Sequence, residues 1–129
     1  MNDSGGEAEM TGANYHLLIK GVTEFNKREF FEAHETLEDF WRNQTGDEKE
    51  LVQSIIQAAV AYYHFGRDNN VGATKLLKRA ITRAESVPEG LFGLDTNPYL
   101  DTIKLSLAAV ESGAEKSAMP MPIIHFKSN

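Results

Sequence analysis

The sequence contains no cysteine, only four prolines among 129 residues, and no long apolar run. Without cysteine there is no disulfide, no thiolate zinc site and no cysteine nucleophile, so a metal site would need histidine, carboxylate or amide ligands. The longest apolar-rich window, residues 55–65, is interrupted by polar side chains and is far shorter than the roughly 20 apolar residues of a membrane span. These absences predict a cytoplasmic protein that does not enter a membrane.

Positive charge is also scarce. The chain has 13 lysines and arginines against 19 acidic residues, which gives a net charge of −6. Because a phosphate backbone selects clustered cations, this balance argues against nucleic-acid binding. The local exception is a basic stripe of Lys75, Lys78 and Arg79, which we interpret as a solvated or salt-bridged helix face, with a phosphate site as the alternative.

Apolar residues recur at helical spacing along most of the chain, and no stretch alternates for long as a strand would, which predicts an all-α fold. We expect five helices at about residues 13–25, 28–42, 48–66, 70–86 and 98–111. The predicted N-caps of the last three are Asp47, Asn70 and Asn97.

Beyond the helices, the predicted organisation is a flexible tail at 1–12, one helical domain at 13–112 and an extended tail at 113–129. The first segment has neither a basic start nor an apolar run, so we do not interpret it as a secretory signal. The C-terminal tail contains Ile123, Ile124 and Phe126, which we expect to pack on the body or on a partner.

The sequence contains a weak internal repeat, in which three residues recur at a constant offset of 40 positions. Phe25, Ala33 and Leu37 recur as Phe65, Ala73 and Leu77. This spacing is typical of tetratricopeptide-like hairpins, in which a small residue permits close helix packing. We therefore predict a compact bundle of about five helices built from such hairpins.

The segment FFEAHETLEDFW, residues 30–41, places a histidine among aromatic residues. At about 100° per residue, one face holds Phe30, Ala33, His34, Leu37 and Trp41, with His34 in its middle. Glu32, Thr36 and Asp39 are predicted to point away, as the solvated face of an amphipathic helix.

His34 and Glu38 are four residues apart, so their side chains can meet on one helix face. The run HETLE resembles the zinc-protease helix motif, but Glu38 replaces its second histidine. A divalent-metal site would use His34 and Glu38, with His64 as a third ligand and Glu35 as a further ligand or base. Three interpretations of His34 stay open: a hydrogen-bonded core histidine, a metal or catalytic residue, and a contact for a ligand or partner.

The third helix offers further polar candidates. If the side carrying Gln57 and His64 faces the second helix, both can join His34 and Glu38 in a polar pocket; otherwise they are polar surface. The pocket would be lined by Trp41, Tyr62 and Tyr63. No complete catalytic constellation is present, so whether the protein is an enzyme stays open.

Several segments together resemble a known family. FNKREFFEAHETLEDFW, LVQSIIQAAVAYYHFGRDNNVGATKLLKRA and GLD follow, in order and spacing, the pattern of the bacterial and archaeal domain-of-unknown-function family 309. The resemblance covers about residues 25–105. It falls on Phe31, Ala33, His34, Glu35, Leu37, Glu38, Trp41, Ile56, Gln57, Ala59, Tyr63, His64, Asn69 or Asn70, Gly72, Ala73, Gly93 and Asp95. It implies a compact all-helical protein and assigns no activity.

The function we predict is a non-enzymatic interaction or scaffold module that binds a protein partner or a second copy of itself. The alternative is a divalent-metal-binding protein that uses the helix with His34, Glu35 and Glu38. A metal-dependent hydrolase would be one protein of this kind. No cofactor beyond such a metal is implied.

Overall fold

The computed structural model describes residues 15–127, and most of this range is helical. Helix α1 covers residues 15–26, α2 Phe30–Trp41, α3 Gly46–Gly66, α4 Asn70–Glu85 and α5 Thr96–Glu111. Two 3-10 turns, Leu91–Gly93 and Lys116–Ala118, and an antiparallel pair of two-residue strands, β1 (Leu94–Asp95) and β2 (His125–Phe126), complete the described part. The predicted all-α fold is confirmed, whereas the predicted tail at 1–12 lies outside the described residues.

Helix α3 is the centre of the bundle. It packs against α2 and α4, and α5 packs in turn on α4. Ala58, Ala59 and Ala61 of α3 are fully buried, and such small side chains let neighbouring helices approach closely. None of the helices within residues 15–127 is both long and apolar enough to cross a membrane.

The turns α1–α2 and α3–α4 have the same backbone geometry at an offset of 40 residues. Arg28 and Asp68 both adopt a left-handed conformation, with φ of 66° and 64°. Their N–H groups donate to the carbonyls of Phe25 and Phe65 at 2.9 and 3.1 Å. The internal repeat in the sequence is therefore accompanied by a repeated turn geometry in the structure, while a tetratricopeptide-like relationship stays a prediction.

The predicted orientation of α2 is wrong by roughly 50°, half of the 100° step between residues. Thr36 is buried, whereas it was expected to point away, and its hydroxyl accepts a hydrogen bond of 3.3 Å from Lys20 of α1. His34 and Trp41 lie at the edge of the buried face rather than on its axis, each half-buried. The reason is that α2 is covered by α1 as well as α3, which widens its buried face toward Thr36.

The predicted helix caps are also displaced. The side chain of Asn69, not Asn70, caps α4 and accepts a 3.0 Å bond from the Gly72 N–H. Thr45 precedes α3 and Asp95 precedes α5, so these two helices begin earlier than Asp47 and Asn97 predict. Each shift adds one or two residues to a helix and leaves the order of elements unchanged.

The described part of the C-terminal tail lies along the helical body. Met119, Pro122 and Ile124 are buried, and the Lys127 N–H donates to the Gly93 carbonyl at 2.7 Å. Ile123 and Phe126 stay partly exposed. The tail thus contributes Met119 and Ile124 to the hydrophobic core of this structure.

Candidate functional site

A hollow of about 220 Å³ opens between the first half of α2 and the second half of α3. Four apolar or aromatic side chains and two imidazoles line it: Phe30, Phe31, Val60, Tyr63, His34 and His64. It brings together two residues of the predicted polar motif, His34 and His64. We call it the apolar hollow.

Four rings follow one another along this surface in the order His34, Phe31, Tyr63, His64. The distances between successive ring centroids are 5.8, 5.6 and 6.2 Å. Phe31 is 47% exposed, although it is among the largest apolar side chains of the chain. We call these four rings the ring row.

A second hollow of about 520 Å³ adjoins the first, and the two share Phe30, Phe31 and Tyr63. Charged residues form its rim: Arg28, Glu29, Glu32, Arg67 and Lys116. The Arg67 guanidinium lies 5.5 Å from the centroid of the Tyr63 ring, a cation–π distance. The two hollows together form what we call the aromatic groove.

His34 is held by its own helix. Its Nε2 lies 3.4 Å from Oε2 of Glu38, and the two side chains are 26% and 45% exposed. Because a carboxylate only accepts, Nε2 of a neutral imidazole carries the proton. Nδ1 is buried and has no hydrogen-bond partner within residues 15–127. This geometry is neither that of a fully hydrogen-bonded core histidine nor that of an open ligand set.

His64 lies where α3 turns into α4. A Cβ atom at Gly72 would come within 3.1 Å of Cδ2 of His64 and within 2.5 Å of Nδ2 of Asn69. A larger residue at position 72 would therefore have to displace the Asn69 cap and press on the His64 ring. The sequence pattern of histidine, asparagine and glycine has a structural explanation here, independent of any chemistry.

Gln57 does not join the histidines. Its side-chain oxygen accepts a 3.1 Å bond from Nε of Arg83 on α4, and Arg83 also bonds Glu50 at 2.8 Å. The side of α3 that carries Gln57 therefore faces α4, so of the alternatives that the sequence left open, a pocket that unites Gln57 with His34 is not the one found in the structure. The five polar motif residues form at least two separate groups.

The basic stripe lies on the exposed side of α4. Lys75, Lys78 and Arg79 are exposed, and Lys78 is 3.7 Å from Glu111 of α5. This exposure and this pair match the interpretation of the stripe as a solvated or salt-bridged helix face.

The remaining predicted site residues take different roles. Glu35 is exposed and does not line either hollow. Trp41 lies outside the groove, with the Lys49 ammonium 4.2 Å from its ring centroid. Tyr62 borders the second hollow, but its hydroxyl is buried 2.8 Å from Ser106 Oγ, and burial raises the pKa of this phenol. Of the three predicted pocket aromatics, Tyr63 is the one in both hollows.

The predicted metal ligands are not assembled. Within residues 15–127 no three histidine, aspartate or glutamate side chains come together in a way that could hold a metal ion. His34 and Glu38 are paired with each other, and His64 is placed by the α3–α4 corner. Metal binding by His34, Glu38 and His64 therefore has no three-ligand geometry behind it.

Sequence reasoning passed over most of the groove. Phe31, Val60, Arg28, Arg67, Lys116 and Met121 all line it and were not singled out as pocket residues. One signal was available: Phe30 and Phe31 are adjacent on a helix, so they point about 100° apart and cannot both face one core. An exposed aromatic residue next to a buried one was therefore predictable.

Comparison with known proteins agrees with the sequence pattern. Residues 18–76 match the model of a family described as "Domain of unknown function (DUF309)". The Uncharacterized protein YpuF of Bacillus subtilis (strain 168) is 31% identical over a match of 109 residues that covers 81% of this chain and 63% of that protein. An uncharacterized protein of Aquifex aeolicus (strain VF5) is 28% identical over 91 residues, 67% of this chain and 27% of that protein. The chain thus spans less than two thirds of the length of either relative.

Proposed function

From the premise that residues 18–76 belong to the DUF309 family, we propose that the protein is a non-enzymatic interaction module that binds a protein partner in the aromatic groove. The matched segment includes α2, α3 and the α3–α4 corner, which supply most of the groove. The assignment carries no activity with it, so the proposal rests on the geometry of the site.

The exposure of Phe31 is the observation that carries the proposal. Its ring lies between His34 and Tyr63 at the junction of the two hollows, yet 47% of the residue is open to solvent. Covering the exposed part of such a side chain would contribute on the order of 1 kcal/mol. Aromatic side chains in a concave site are typical anchors of protein interfaces.

The polar residues support binding rather than catalysis. A catalytic site needs a nucleophile or base, and the group that orients it, within hydrogen-bond reach of one reacting point. Here Gln57 is engaged by Arg83, and Nε2 of His34 faces Glu38. The groove therefore offers rings and rim charges to a partner, and its polar motif is divided among separate structural contacts.

Panning of a phage library of random linear peptides tests the proposal. The full-length protein is immobilised beside two variants, Phe31→Ser in the groove and Leu105→Ser on α5. Leu105 is 60% exposed and lies on a different helix, so it is a matched control for the loss of surface apolar area. Both variants are first checked for native helicity by circular dichroism.

We expect enriched peptides that bind the native protein and the Leu105→Ser variant but lose binding to the Phe31→Ser variant. Enriched peptides that bind all three forms equally would place the binding site elsewhere. No enrichment on the native protein would count against a peptide-binding groove.

A further inference from the structure

Helix α4 concentrates positive charge in a chain that is acidic overall. It carries four lysines and arginines and one acidic residue, Glu85, whereas the whole chain has a net charge of −6. No acidic residue lies between Asp68 and Glu85 in the sequence. The carboxylates that could neutralise the basic stripe must therefore come mostly from other elements.

Other elements neutralise the basic stripe only in part. Lys78 lies 3.7 Å from Glu111 of α5, and the two side chains are 59% and 49% exposed, so the pair is loose and in contact with water. The side chains of Lys75 and Arg79 make no ion pair within residues 15–127. Exposed ion pairs contribute little to folding, so Lys78 can exchange its partner at small cost. All three cations can thus bind an anion from outside the chain.

A hollow of about 380 Å³ lies beside the stripe, between α3 and α4. Its lining consists of Glu50, Lys78, Arg79, Thr82 and Arg83. Arg83 donates to Glu50 at 2.8 Å, so the one carboxylate of this lining is already neutralised. The charge that remains at the hollow is that of Lys78 and Arg79. A carboxylate that enters the hollow therefore meets two cations without an unpaired anion beside them.

The stripe continues at its N-terminal end into an exposed apolar residue. Val71 is 69% exposed and lies four residues before Lys75. At about 100° per residue, Val71, Lys75, Lys78 and Arg79 share a sector of about 100° on α4. At 1.5 Å per residue, this surface is about 12 Å long. One exposed face of α4 thus offers an apolar side chain and three cations in a line.

This composition favours a protein segment over a nucleic acid. A nucleic-acid strand carries one negative charge about every 3.4 Å and extends well beyond a surface of this length. Glu111 lies beside Lys78, and Glu85 is the last residue of α4, so a long polyanion would meet like charge. A short protein segment can place a few carboxylates against the cations and an apolar side chain against Val71. The sign of the charge, the length and the apolar end agree with such a segment.

We propose that the basic stripe together with Val71 is a second docking surface, which binds a short acidic segment of a protein partner. Carboxylates of that segment pair with Lys75, Lys78 and Arg79, and one of its apolar side chains covers Val71. Because the pairs are exposed, salt weakens them. The surface lies on α4, whereas the aromatic groove lies between α2 and α3. The inference therefore goes beyond the proposed function and does not depend on it.

Titration of two end-blocked synthetic peptides into the full-length protein, followed by amide NMR shifts, tests the inference. The acidic peptide has two leucines followed by four glutamates that alternate with serine, and the other peptide has glutamine in place of every glutamate. At low salt we expect saturable shifts of the Val71, Lys75 and Arg79 amides with the acidic peptide, and no saturation with the glutamine peptide. Raising the sodium chloride concentration about tenfold should weaken binding several-fold.

Two variants identify the surface. Lys75→Gln with Arg79→Gln should bind the acidic peptide about 2- to 10-fold more weakly, the effect of two lost exposed ion pairs. Lys27→Gln with Arg42→Gln removes the same net charge from exposed positions outside α4, and this matched control should bind unchanged. Val71→Ser should bind about 2-fold more weakly, because a small apolar contact is lost. Circular dichroism first confirms native helicity in all three.

Several outcomes would overturn the inference. Equal binding of the glutamine peptide, or equal binding by the stripe variant and its control, would show that the cations do not recognise the segment. If Val71→Ser binds unchanged, or if inorganic phosphate or a short thymidine oligonucleotide shifts the same amides as tightly, the surface recognises anions in general. A dimer in light scattering that the stripe variant abolishes would make a second copy the occupant.

The remaining outcomes separate this inference from the proposed function. Shifts confined to Phe31 and Tyr63 would place the acidic peptide in the aromatic groove, which contradicts a second surface and supports the first. Absence of any saturable shift at low salt would overturn the α4 surface alone, because the groove is tested by its own displayed peptides. Binding to α4 should be unchanged in the Phe31→Ser variant, since that residue lies outside this surface.

Discussion

Asn26 and Ile124 lie 98 positions apart in the chain, and the Asn26 amide bonds both backbone groups of Ile124. Asn26 Nδ2 donates to the Ile124 carbonyl at 2.9 Å, and the Ile124 N–H donates to Asn26 Oδ1 at 2.8 Å. The side chain at the end of α1 thus acts as a short strand partner for the tail. It fixes the register in which Ile124 is buried and, beyond it, β2 pairs with β1.

The Asn26→Ala variant should be less stable than the native protein by about 1–3 kcal/mol, because it leaves two backbone groups of a docked strand without partners. Urea denaturation measures the free energy of unfolding, and hydrogen exchange of the Ile124 amide reports local release of the tail. Asn43→Ala, in the exposed α2–α3 loop, is the matched control and should change little. Equal stabilities for the two variants would contradict a clamp at Asn26.

The contact between α1 and α2 depends on Gly21. A Cβ atom there would lie 2.5 Å from Cδ2 of Leu37, which is fully buried. Gly21→Ala should therefore lower the free energy of unfolding by about 1–3 kcal/mol through overpacking. Gly66→Ala is the control, since a Cβ there meets nothing within 4 Å. Thermal and urea unfolding compare the two variants. Equal stability of Gly21→Ala and Gly66→Ala would mean that α1 and α2 can accommodate an additional methyl group at position 21.

Local periodicity predicts the helices because each one buries a single stripe, and five stripes are visible in the sequence. It cannot tell on which side of an apolar stripe a second helix packs. For that reason Thr36 was predicted to face solvent, and His34 was predicted to lie in the middle of the buried face of α2. The tail shows the same limit. Nothing near Ile124 in sequence indicates that its backbone partner is Asn26.

The candidate site divides in the same way. Helical spacing places Gln57 and His64 on one side of α3 but does not say whether that side meets α2 or α4. In the structure His64 lines the apolar hollow beside His34, whereas Gln57 is bonded to Arg83 of α4. The exposure of Phe31 could have been inferred from its neighbour. Since Phe30 and Phe31 point about 100° apart on α2, they cannot both face the same core.

Two carboxylates should make stability fall in acid. Burial, the largest single effect, acts to raise the pKa of Glu24, but the hydrogen bonds from Lys20, at 2.7 Å, and Thr36, together with the charges of Lys20 and Lys27, outweigh it and hold the pKa below its usual value of 4.5. A hydrogen bond from Thr96 lowers the pKa of Glu89, which also pairs with Lys127 of the tail at 3.2 Å. Because both pKa values are lowered by folding, their contribution is complete above about pH 4.5 and is lost as the pH falls through the folded values.

The double variant Glu24→Gln, Glu89→Gln should therefore have a lower free energy of unfolding than the native protein at neutral pH. As the pH falls below about 4.5, the free energy of unfolding should decrease less in this variant than in the native protein. Urea denaturation at a series of pH values measures the free energy of unfolding of both proteins. Glu35→Gln with Glu48→Gln removes the same charge from exposed positions and is the control. Parallel pH profiles for the native protein and the first variant would exclude these two groups as the source of acid sensitivity.

His34 offers a test between a structural and a metal-binding role. Its Nδ1 is buried and finds no partner among residues 15–127, so replacing the imidazole by an apolar ring removes an atom that this part of the chain leaves unsatisfied, at little cost. We expect the free energy of unfolding of the His34→Phe variant to lie within about 1 kcal/mol of that of the native protein. The exposed His16→Phe variant is the matched control.

Metal content completes this test, because a divalent ion needs ligands beyond the His34 and Glu38 pair, and the described residues do not gather a third. We expect protein purified without a histidine tag to contain only substoichiometric metal by mass spectrometry, unchanged in a His34→Ala variant that circular dichroism shows to be folded. Near-stoichiometric metal that disappears in the folded variant would mean that the groove rearranges to bring His64 or Glu35 to the pair. In that case the aromatic rings would be the wall of a metal site, and screening for hydrolase activity would take priority over the search for a peptide partner.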